Sequence, residues 1–357
     1  MLLPAFWNIH PLADLPFLLN YRHYCEKEKF LQGVSVLNNT PLSLETLIKV
    51  DCLLAAGAAV TLTATRFIKP STQCKTYDYI AAMNLRFIPD HADLEPFKND
   101  FDFVLDCGAE LFNTVHPKKG TVELTGSGTL VYKSQACALN VPIISVDDSK
   151  TKTLETFFGT AEGFVRALKQ FSSVDLSNIK VVLFGYGKVG NGIIYGLSSY
   201  TSSITVIDQS DVALQKAQHN KLKAFSIYDI KQVKKAVAQA DLIITAAGAP
   251  GLISTIFKRE ELKGKLLANV SADDDFGSVV PAEDVLGKKQ PLNFQLETPT
   301  LMRYLDPSFY AHNLCVELMI KDNFSVGYHP LPTHIDEEII GKWEKLHGEN
   351  TSIASSH

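Results

Sequence analysis

A glycine-rich turn between a predicted strand and a predicted helix constrains the fold of this chain more than any other feature. The apolar run 181–184 leads directly into the sequence GYGKVG at 185–190, and apolar residues at helical spacing follow. This order of strand, turn and helix is the context in which G-x-G-x-x-G binds a dinucleotide. The first glycine permits the tight turn, the second lets the backbone approach a pyrophosphate, and the third lets the helix pack on the strand. We therefore predict a dinucleotide site at 185–190.

An acidic residue stands at the position that such a site requires. Asp208 ends the predicted strand 204–207, about 20 residues after the first glycines. A carboxylate there accepts hydrogen bonds from both hydroxyls of the adenosine ribose and repels a 2′-phosphate. No arginine follows immediately, since Gln209 and Ser210 are the next residues. The pattern favours NAD over NADP, and the alternative is a glycine-rich turn in an ordinary α/β sheet.

Apolar runs of strand length alternate with helical periodicity along most of the chain. The predicted strands are 34–37, 59–63, 85–87, 101–105 and 141–146, followed by 181–184, 204–207, 225–227, 242–245 and 266–270. The clearest predicted helices are 43–58, 231–240, 309–321 and 336–347. Continuous apolar strands that alternate with helices indicate parallel sheets covered on both faces. The expected fold class is α/β, with two parallel-sheet domains.

The composition argues against several classes of protein. With 357 residues, 46% of them hydrophobic, the chain can form about two domains with sizeable cores. A net charge of −5 without a polybasic run argues against nucleic acid as a partner. No apolar stretch reaches about 18 residues, so no membrane span is expected. Six cysteines without a CxxC pair, and an N-terminus without a basic region, suit a cytoplasmic protein.

The residues that could suggest a metal site lack the spacing of metal ligands. The acidic run 273–275 has no EF-hand pattern, and we expect it to form a solvated loop. His329 and His334 are separated by two prolines, which prevent a helix that would aim both imidazoles at one ion. We predict no metal.

Further segments, spread over most of the chain, match one known family in a single order. Before the glycine turn these are TLIKVDCLLAAGAAV at 46–60, STQ at 71–73, LDCGAEL at 105–111 and DDSKTKTLETFFG at 147–159. The turn itself is followed by 245–248, 269–274, DPSF at 306–309 and VGYHPLPTHIDEE at 326–338. Together they resemble the S-adenosylhomocysteine hydrolase (adenosylhomocysteinase) family, and this breadth is more specific than any single motif.

The resemblance implies a domain organisation and a reaction. It implies a substrate domain of residues 1–158 and 302–347 and an inserted NAD-binding Rossmann domain of residues 159–301. The polar composition of residues 348–357 predicts a frayed tail. In the family, NAD takes a hydride from the ribose 3′-hydroxyl of the substrate, and the resulting ketone acidifies the C4′ proton. A base removes that proton, the thiol leaves, water adds, and the hydride returns. This chemistry needs groups with shifted pKa values and a closed interdomain cleft that excludes water.

The resemblance also implies partners and site residues. The partners would be a small-molecule substrate, with a nucleoside thioether as one candidate, and further copies of the chain in a homo-oligomer. Lys152 stands at the family's lysine beside the nicotinamide, and Glu123 matches a substrate-site glutamate. Glu155 replaces an aspartate, and Cys107 replaces a catalytic aspartate. The implied cofactor contacts are Gly185, Tyr186, Gly187, Lys188, Val189, Gly190, Asp208, Thr125, Thr156, Ala247, Gly248, Val270 and Ala272.

Several of the family's proton-transfer groups have no counterpart here. The histidine before the first long helix falls on Pro41 in a gapless comparison, or on Asn38 when 37–40 is paired with the family's motif. Neither residue is a base near neutral pH. Ala272 replaces a second histidine, and Asp306 replaces the histidine of the family's His-Pro-Ser-Phe segment. We expect NAD binding to be kept and the acid–base groups for hydrolysis to be reduced.

Three functions stay open at this point. The first is an NAD-binding, adenosylhomocysteinase-like enzyme with altered catalytic residues that oxidises a substrate hydroxyl. The second is hydrolysis of S-adenosyl-L-homocysteine to adenosine and homocysteine despite the substitutions, and the third is an NAD-loaded regulatory protein without turnover. Two candidates also have plain alternatives: Cys107 as a small apolar core residue, and Lys152 as a solvated lysine.

Overall fold

The computed structural model describes residues 4–66, 74–348 and 351. The described residues divide into two compact units. One, which we call the split unit, is formed by Met1–Leu154 and Met302–Glu349, and the other, the central unit, is formed mainly by Glu155–Leu301. Among the described helices, none has the length and apolar character needed to cross a lipid bilayer.

The strands and helices are numbered separately in chain order. The strands are β1 (Ser35–Asn38), β2 (Ala59–Leu62), β3 (Arg86–Phe87), β4 (Phe103–Asp106), β5 (Gly120–Glu123), β6 (Pro142–Ser145), β7 (Val181–Phe184), β8 (Ile204–Asp208), β9 (Lys223–Ser226), β10 (Leu242–Thr245), β11 (Leu266–Asn269) and β12 (Gly327–Pro330). The helices are α1 (Pro16–Glu28), α2 (Leu44–Ala55), α3 (Cys74–Ala82), α4 (Gly126–Ser134), α5 (Lys150–Thr153), α6 (Thr160–Phe171), α7 (Lys188–Ser198), α8 (Asp211–His219), α9 (Ile230–Gln239), α10 (Leu252–Ile256), α11 (Arg259–Leu262), α12 (Met302–Lys321) and α13 (Thr333–His347). A π-helical segment, Leu154–Gly159, lies between α5 and α6.

A parallel sheet forms the middle of the split unit, with the strand order β12-β6-β5-β4-β1-β2-β3. Every residue of β4 and β5 is buried. Helices α1, α2 and α12 pack against one another, and α12 also contacts β4 and β5. The carboxyl ends of the strands therefore lie along one edge of a covered sheet, where α/β proteins bind ligands.

A second parallel sheet forms the middle of the central unit, with the order β11-β10-β7-β8-β9. Helix α7 packs closely on residues 157–161, because α7 carries glycines on the face that contacts them. A Cβ at Gly192 would lie 2.5 Å from the carbonyl oxygen of Phe157, and one at Gly196 would lie 3.2 Å from Ala161. The prediction of an α/β fold with two parallel sheets is confirmed.

Two strands of the split unit are missing from the sequence-based prediction. β5, with the sequence GTVE, is buried throughout although it lacks a continuous apolar run. β12, with the sequence GYHP, pairs with β6 at the edge of the sheet. Neither segment carries a local strand pattern, because its strand conformation is set by pairing with residues distant in the chain.

Helix α12 begins at Met302 rather than at the predicted Phe309, and it continues through Pro307. A proline inside a helix removes the N–H that would bond the carbonyl four residues earlier. That carbonyl belongs to Arg303, and it accepts a hydrogen bond from Trp343 Nε1 of α13 at 2.7 Å. The indole therefore satisfies the carbonyl that the proline leaves without its helical donor.

Asp306 links α12 to the start of α1. Its carboxylate is 1% exposed and accepts the backbone N–H groups of Phe17 at 2.8 Å and Leu18 at 2.9 Å. These donors lie in the first turn of α1, where backbone N–H groups have no helical partner. The residue before the helix, Leu15, supplies no capping side chain. Burial raises the pKa of Asp306 to about 8, against the effect of the two N–H groups.

The raised pKa makes the stability of the split unit depend on pH. In the unfolded chain an aspartate ionises near about 3.9. From there to a pH of about 8 the unfolded state loses a proton that the folded state keeps, so the free energy of unfolding falls as pH rises. We expect the free energy of unfolding of the wild type to fall relative to that of Asp306→Asn between about pH 5 and pH 8, measured by urea denaturation. Asp322→Asn, on an exposed residue, is the control. A difference that moves in the opposite direction would contradict the burial effect.

Candidate functional site

The three glycines of the loop after β7 have different surroundings. Gly185 has a φ of 94°, and a Cβ there would lie 2.5 Å from the carbonyl oxygen of Ala246. A Cβ at Gly190 would clash with the carbonyl oxygen of Gly185. A Cβ at Gly187, by contrast, would meet no described atom within 4 Å. The packing of the protein itself therefore requires the first and third glycines, whereas the second leaves open space above the turn.

Helix α7 starts immediately after that open position. It begins at Lys188, and its N-cap residue Gly187 supplies no side-chain hydrogen bond. Val189 packs against the hydrophobic core, so that the first turn is anchored to the sheet. A helix N-terminus directs backbone N–H groups and the positive end of the helix dipole at a bound anion. The arrangement can hold a phosphate group.

The Asp208 carboxylate is fixed at the end of β8 by two backbone groups. Oδ2 accepts the N–H of Tyr186 at 2.7 Å, and Oδ1 accepts the N–H of Ser210 at 2.8 Å. The Tyr186 side chain is buried in the core, and its hydroxyl accepts a hydrogen bond from Asn220 at 3.1 Å. The aspartate is thus tied directly to the glycine-rich turn.

The loops after β10 and β11 are joined by Asp275. Its carboxylate accepts the N–H groups of Ala247 at 3.0 Å and Ala249 at 2.7 Å, and the hydroxyl of Ser271 at 2.6 Å. Gly248 donates its N–H to the same serine oxygen at 3.0 Å. Burial raises the pKa of Asp275. The prediction of a solvated loop is therefore wrong for Asp275, which is fully buried, although residues 273 and 274 are exposed.

Most cofactor candidates of the central unit share one edge of its sheet. They lie in the loops that follow β7, β8, β10 and β11, and parallel strands place these loops at the same end. The chain passes from β7 to β8 on one side and returns to β10 on the other side of β7. Open α/β sheets bind ligands at such a switch point. At this edge Val270 is buried and Ala272 is exposed, while Thr156 lies in the π-helical segment and Thr125 belongs to the split unit.

Glu123 closes the turn that follows β4 in the split unit. Its Oε1 accepts the N–H of Gly108 at 2.9 Å, and the N–H and hydroxyl of Thr125, each at 2.7 Å. Its Oε2 accepts the N–H of Ala109 at 3.0 Å. Gly108 and Ala109 both have positive φ, so that consecutive N–H groups point at the carboxylate. Burial, followed by the charge of Asp106, raises the pKa of Glu123. In the structure Glu123 therefore holds the turn that carries Cys107, and its predicted catalytic role stays a prediction.

Asp106 lies beside Glu123, because the two residues are register partners on β4 and β5. It is fully buried, and its oxygens accept hydrogen bonds from Asn39 Nδ2 at 2.8 Å and Tyr132 Oη at 3.0 Å. The backbone N–H groups of Cys107 and Leu111 also donate hydrogen bonds to the Asp106 carboxylate. Burial raises the pKa of Asp106 against these bonds. Two neighbouring carboxyls with raised pKa values can hold and pass a proton closer to neutral pH than ordinary carboxyls.

Lys152 lies in a turn that is held from both sides. Its N–H donates to the capping oxygen of Ser149 at 3.0 Å. Asp336 of α13 accepts the N–H groups of Lys150 and Thr151, each at 2.8 Å, and the hydroxyl of Thr151 at 2.7 Å. The Lys152 side chain is 3% exposed, which does not fit the alternative of a solvated lysine. The fixed turn restricts where its amine can reach.

The remaining catalytic candidates have less defined surroundings. Cys107 follows β4 and is buried, which is compatible both with a chemical role and with a small core residue. Glu155 and Thr156 both lie in the π-helical segment, and both are partly buried. Within residues 4–66, 74–348 and 351, no group of His, Cys, Asp or Glu is arranged to hold a metal ion.

Sequence reasoning missed three acids that fix these loops: Asp106, Asp275 and Asp336. The burial of Asp106 had a local signal, since it continues the apolar run of β4. Asp275 and Asp336 had none, because their N–H partners lie far away in sequence.

Comparisons with known proteins agree with this geometry. A family model described as putative NAD(P)-binding matches residues 173–282, which include the glycine-rich turn and Asp208. An S-inosyl-L-homocysteine hydrolase of Methanopyrus kandleri is 24% identical over 73% of this chain, and the match spans 64% of that relative, less than two thirds. An adenosylhomocysteinase of Pyrobaculum aerophilum is 26% identical over 91% of this chain and 88% of that relative. Together these matches support the resemblance of this chain to the adenosylhomocysteinase family, as a divergent member.

Two solved structures also match this chain, at lower sequence identity. A dipicolinate synthase chain of Bacillus subtilis is 11% identical, with a TM-score of 0.49 over 82% of this chain and 99% of that chain. The corresponding dipicolinate synthase chain of Bacillus halodurans has a TM-score of 0.48 over 81% and 99% of the two chains, also with 11% identity.

The close contact at Gly190 predicts an effect on stability. Gly190→Ala forces a methyl group onto the Gly185 carbonyl, and we expect the free energy of unfolding of the central unit to fall by about 1–3 kcal/mol. Gly341→Ala in α13 is the matched control, since a Cβ there meets no described atom within 4 Å. The control should gain about 0.5–1 kcal/mol from lower backbone entropy in the unfolded state. Urea denaturation measures both variants, and an unchanged value for Gly190→Ala would contradict the contact.

Proposed function

We propose that this chain is an NAD-dependent enzyme of the adenosylhomocysteinase type that oxidises a hydroxyl group of a nucleoside-like small molecule. The open position at Gly187, directly before the N-terminus of α7, carries the proposal. Packing makes no demand for glycine there, since a Cβ would meet no described atom within 4 Å. A glycine that packing does not require indicates close approach of a ligand to the backbone. The proposal includes a cytoplasmic location, which the cysteine usage favours, and a homo-oligomer, which the family resemblance implies.

The Asp208 carboxylate supports NAD rather than NADP as the cofactor. Each of its oxygens accepts one backbone N–H, which leaves a second lone pair for a ribose hydroxyl. Its negative charge disfavours a 2′-phosphate at the same place. The matched family model covers both cofactors, so the choice of NAD rests on this carboxylate.

The chain's own residues would handle the proton and position the substrate. NAD, when bound, supplies the acceptor for the hydride of the hydroxyl carbon. Lys152 would accept the proton of that hydroxyl. Its amine is held in a limited region, because its turn is fixed by Ser149 and Asp336. With its raised pKa, Glu123 can hold a proton near neutral pH and donate it in a hydrogen bond to a substrate oxygen. Cys107 and Glu155 are the further candidates for substrate contact.

Hydrolysis of a nucleoside–homocysteine thioether is the second candidate function. The neighbouring carboxyls of Asp106 and Glu123 favour it, because elimination and water addition both need proton transfer. Two relatives bear the names of hydrolases of such thioethers. Release of homocysteine from S-adenosyl-L-homocysteine or S-inosyl-L-homocysteine, detected with a thiol reagent, distinguishes hydrolysis from oxidation alone.

Gly187→Ala tests the placement of the dinucleotide. Because a Cβ there meets no described atom, we expect an unchanged thermal midpoint. The affinity for NAD should fall about tenfold or more, equivalent to at least about 1.4 kcal/mol, because the methyl group occupies the space of the pyrophosphate. Calorimetric titration with NAD and with NADP measures both affinities, and Gly341→Ala is the control. Unchanged NAD affinity in Gly187→Ala would contradict the site, and equal wild-type affinity for NADP would remove the argument from Asp208.

Lys152→Gln tests the proton-transfer assignment. With S-adenosyl-L-homocysteine or S-inosyl-L-homocysteine as the probe, reduction of bound NAD is followed by the near-ultraviolet absorbance of the reduced nicotinamide. We expect the rate to fall by roughly 10²–10⁴-fold, the usual effect of losing a general base. Lys150→Gln in the same turn is the matched control, because its side chain is 61% exposed. Reduction at the wild-type rate in Lys152→Gln would remove Lys152 from the site.

A further inference from the structure

A cluster of buried polar side chains lies at the carboxyl end of β1 in the split unit. Lys49 of α2 is 0% exposed, and its Nζ donates to Asn38 Oδ1 at 2.7 Å. Asn38 Nδ2 in turn donates to Thr40 Oγ1 at 2.8 Å, and both of these residues are also 0% exposed. The amine of a helix residue is therefore held against the end of a strand by a neutral amide.

Lys49 has no acidic partner among the described residues. An isolated ammonium group in the interior costs far more free energy than a neutral amine, so burial favours loss of the proton. Burial lowers the pKa of Lys49 to about 7. From α12, His312 also faces Lys49, and its own pKa is lowered by burial and then by the Lys49 charge. A lysine amine that is neutral near physiological pH can accept a proton.

Packing offers no reason for a lysine at this position. A buried lysine without an ion pair stabilises a fold less than an apolar residue of the same volume. Titratable groups that are buried at a cost and carry shifted pKa values concentrate at functional sites. Asn38 is aligned with Leu105 on β4, two residues before Cys107, so the amine lies near the turn that carries a catalytic candidate. The histidine of the resembled family falls near this strand end, and this chain has Asn38 or Pro41 in its place.

We propose that the amine of Lys49 is the base that removes a proton from the carbon next to the oxidised centre of the substrate. The proton moves to the Nζ lone pair, and the electron pair of the C–H bond moves into the neighbouring carbonyl to give an enolate. No oxidant or reductant is consumed, because the carbonyl comes from the hydride transfer of the proposed function, on which this inference rests. Asn38 orients the amine and does not take the proton.

The test separates hydride transfer from proton removal. Wild type and Lys49→Gln, both loaded with NAD, are incubated in deuterium oxide with S-adenosyl-L-homocysteine or S-inosyl-L-homocysteine. Near-ultraviolet absorbance measures reduction of the cofactor, and mass spectrometry of the recovered substrate measures deuterium uptake at carbon. We expect both signals in the wild type. In Lys49→Gln we expect cofactor reduction within a few-fold of the wild type, and deuterium uptake lower by roughly 100-fold or more.

Each other outcome has a defined meaning. Deuterium uptake in Lys49→Gln at the wild-type rate overturns the assignment of Lys49 and leaves the proposed function intact. Loss of cofactor reduction in a folded Lys49→Gln also overturns it, because the residue then acts in binding or hydride transfer. A wild type that reduces no cofactor with either probe overturns the proposed function and this inference together.

Two further variants separate proton removal from helix packing. Cys52→Ala removes a fully buried side chain from the same helix without removing a base, and its deuterium uptake should match the wild type. Lys49→Met fills a similar volume with an apolar side chain, so it serves if Lys49→Gln does not fold, as judged by its thermal midpoint. Normal uptake in Lys49→Met, or a loss in Cys52→Ala equal to that in Lys49→Gln, would overturn the proposal.

Discussion

Buried carboxylates that accept backbone N–H groups hold the loops of this protein in place. Loops at the carboxyl ends of parallel strands expose peptide groups that the sheet no longer pairs, and a buried N–H without an acceptor costs free energy of about 1–3 kcal/mol. Asp275 serves two loops of the central unit, and Asp336 holds the turn of Lys152 in the split unit. Glu123 does the same for the turn after β4. These hydrogen bonds within the chain hold the loops as a firm frame for the residues proposed to act on a ligand, of which Glu123 is itself one.

The sequence was sufficient for the parts of the fold that have a local pattern. The strands β7 and β10 are continuous apolar runs, and the glycine-rich turn marked the start of α7. It was insufficient for β5, which lacks a continuous apolar run, and for β12, whose four residues end in a proline. The sequence also did not reveal that α12 begins before Pro307, because a proline normally marks a helix end. In all three cases the deciding partner lies elsewhere in the chain.

The candidate site shows the same division between local and distant information. The three glycines and Asp208 could be chosen from spacing alone, since their functions depend on one strand, one turn and one helix. Lys49 could not be chosen, because a lysine in a helical sequence pattern is normally solvated. Only the tertiary structure shows that it is enclosed and that its amine meets Asn38. Asp306 is a related case: the resemblance marked it as a lost histidine, whereas the structure gives it two backbone donors at the start of α1.

The hydrogen bond from Trp343 to the Arg303 carbonyl couples the residue types that are favourable at positions 307 and 343 of the split unit. The indole N–H bonds a carbonyl that is free because Pro307 has no N–H, and this bond offsets part of the cost of a proline inside the helix. In homologous chains, a residue with an amide hydrogen at the position of Pro307 would remove the need for a side-chain donor at the position of Trp343. The two sites should therefore change together during divergence, although one lies in α12 and the other in α13.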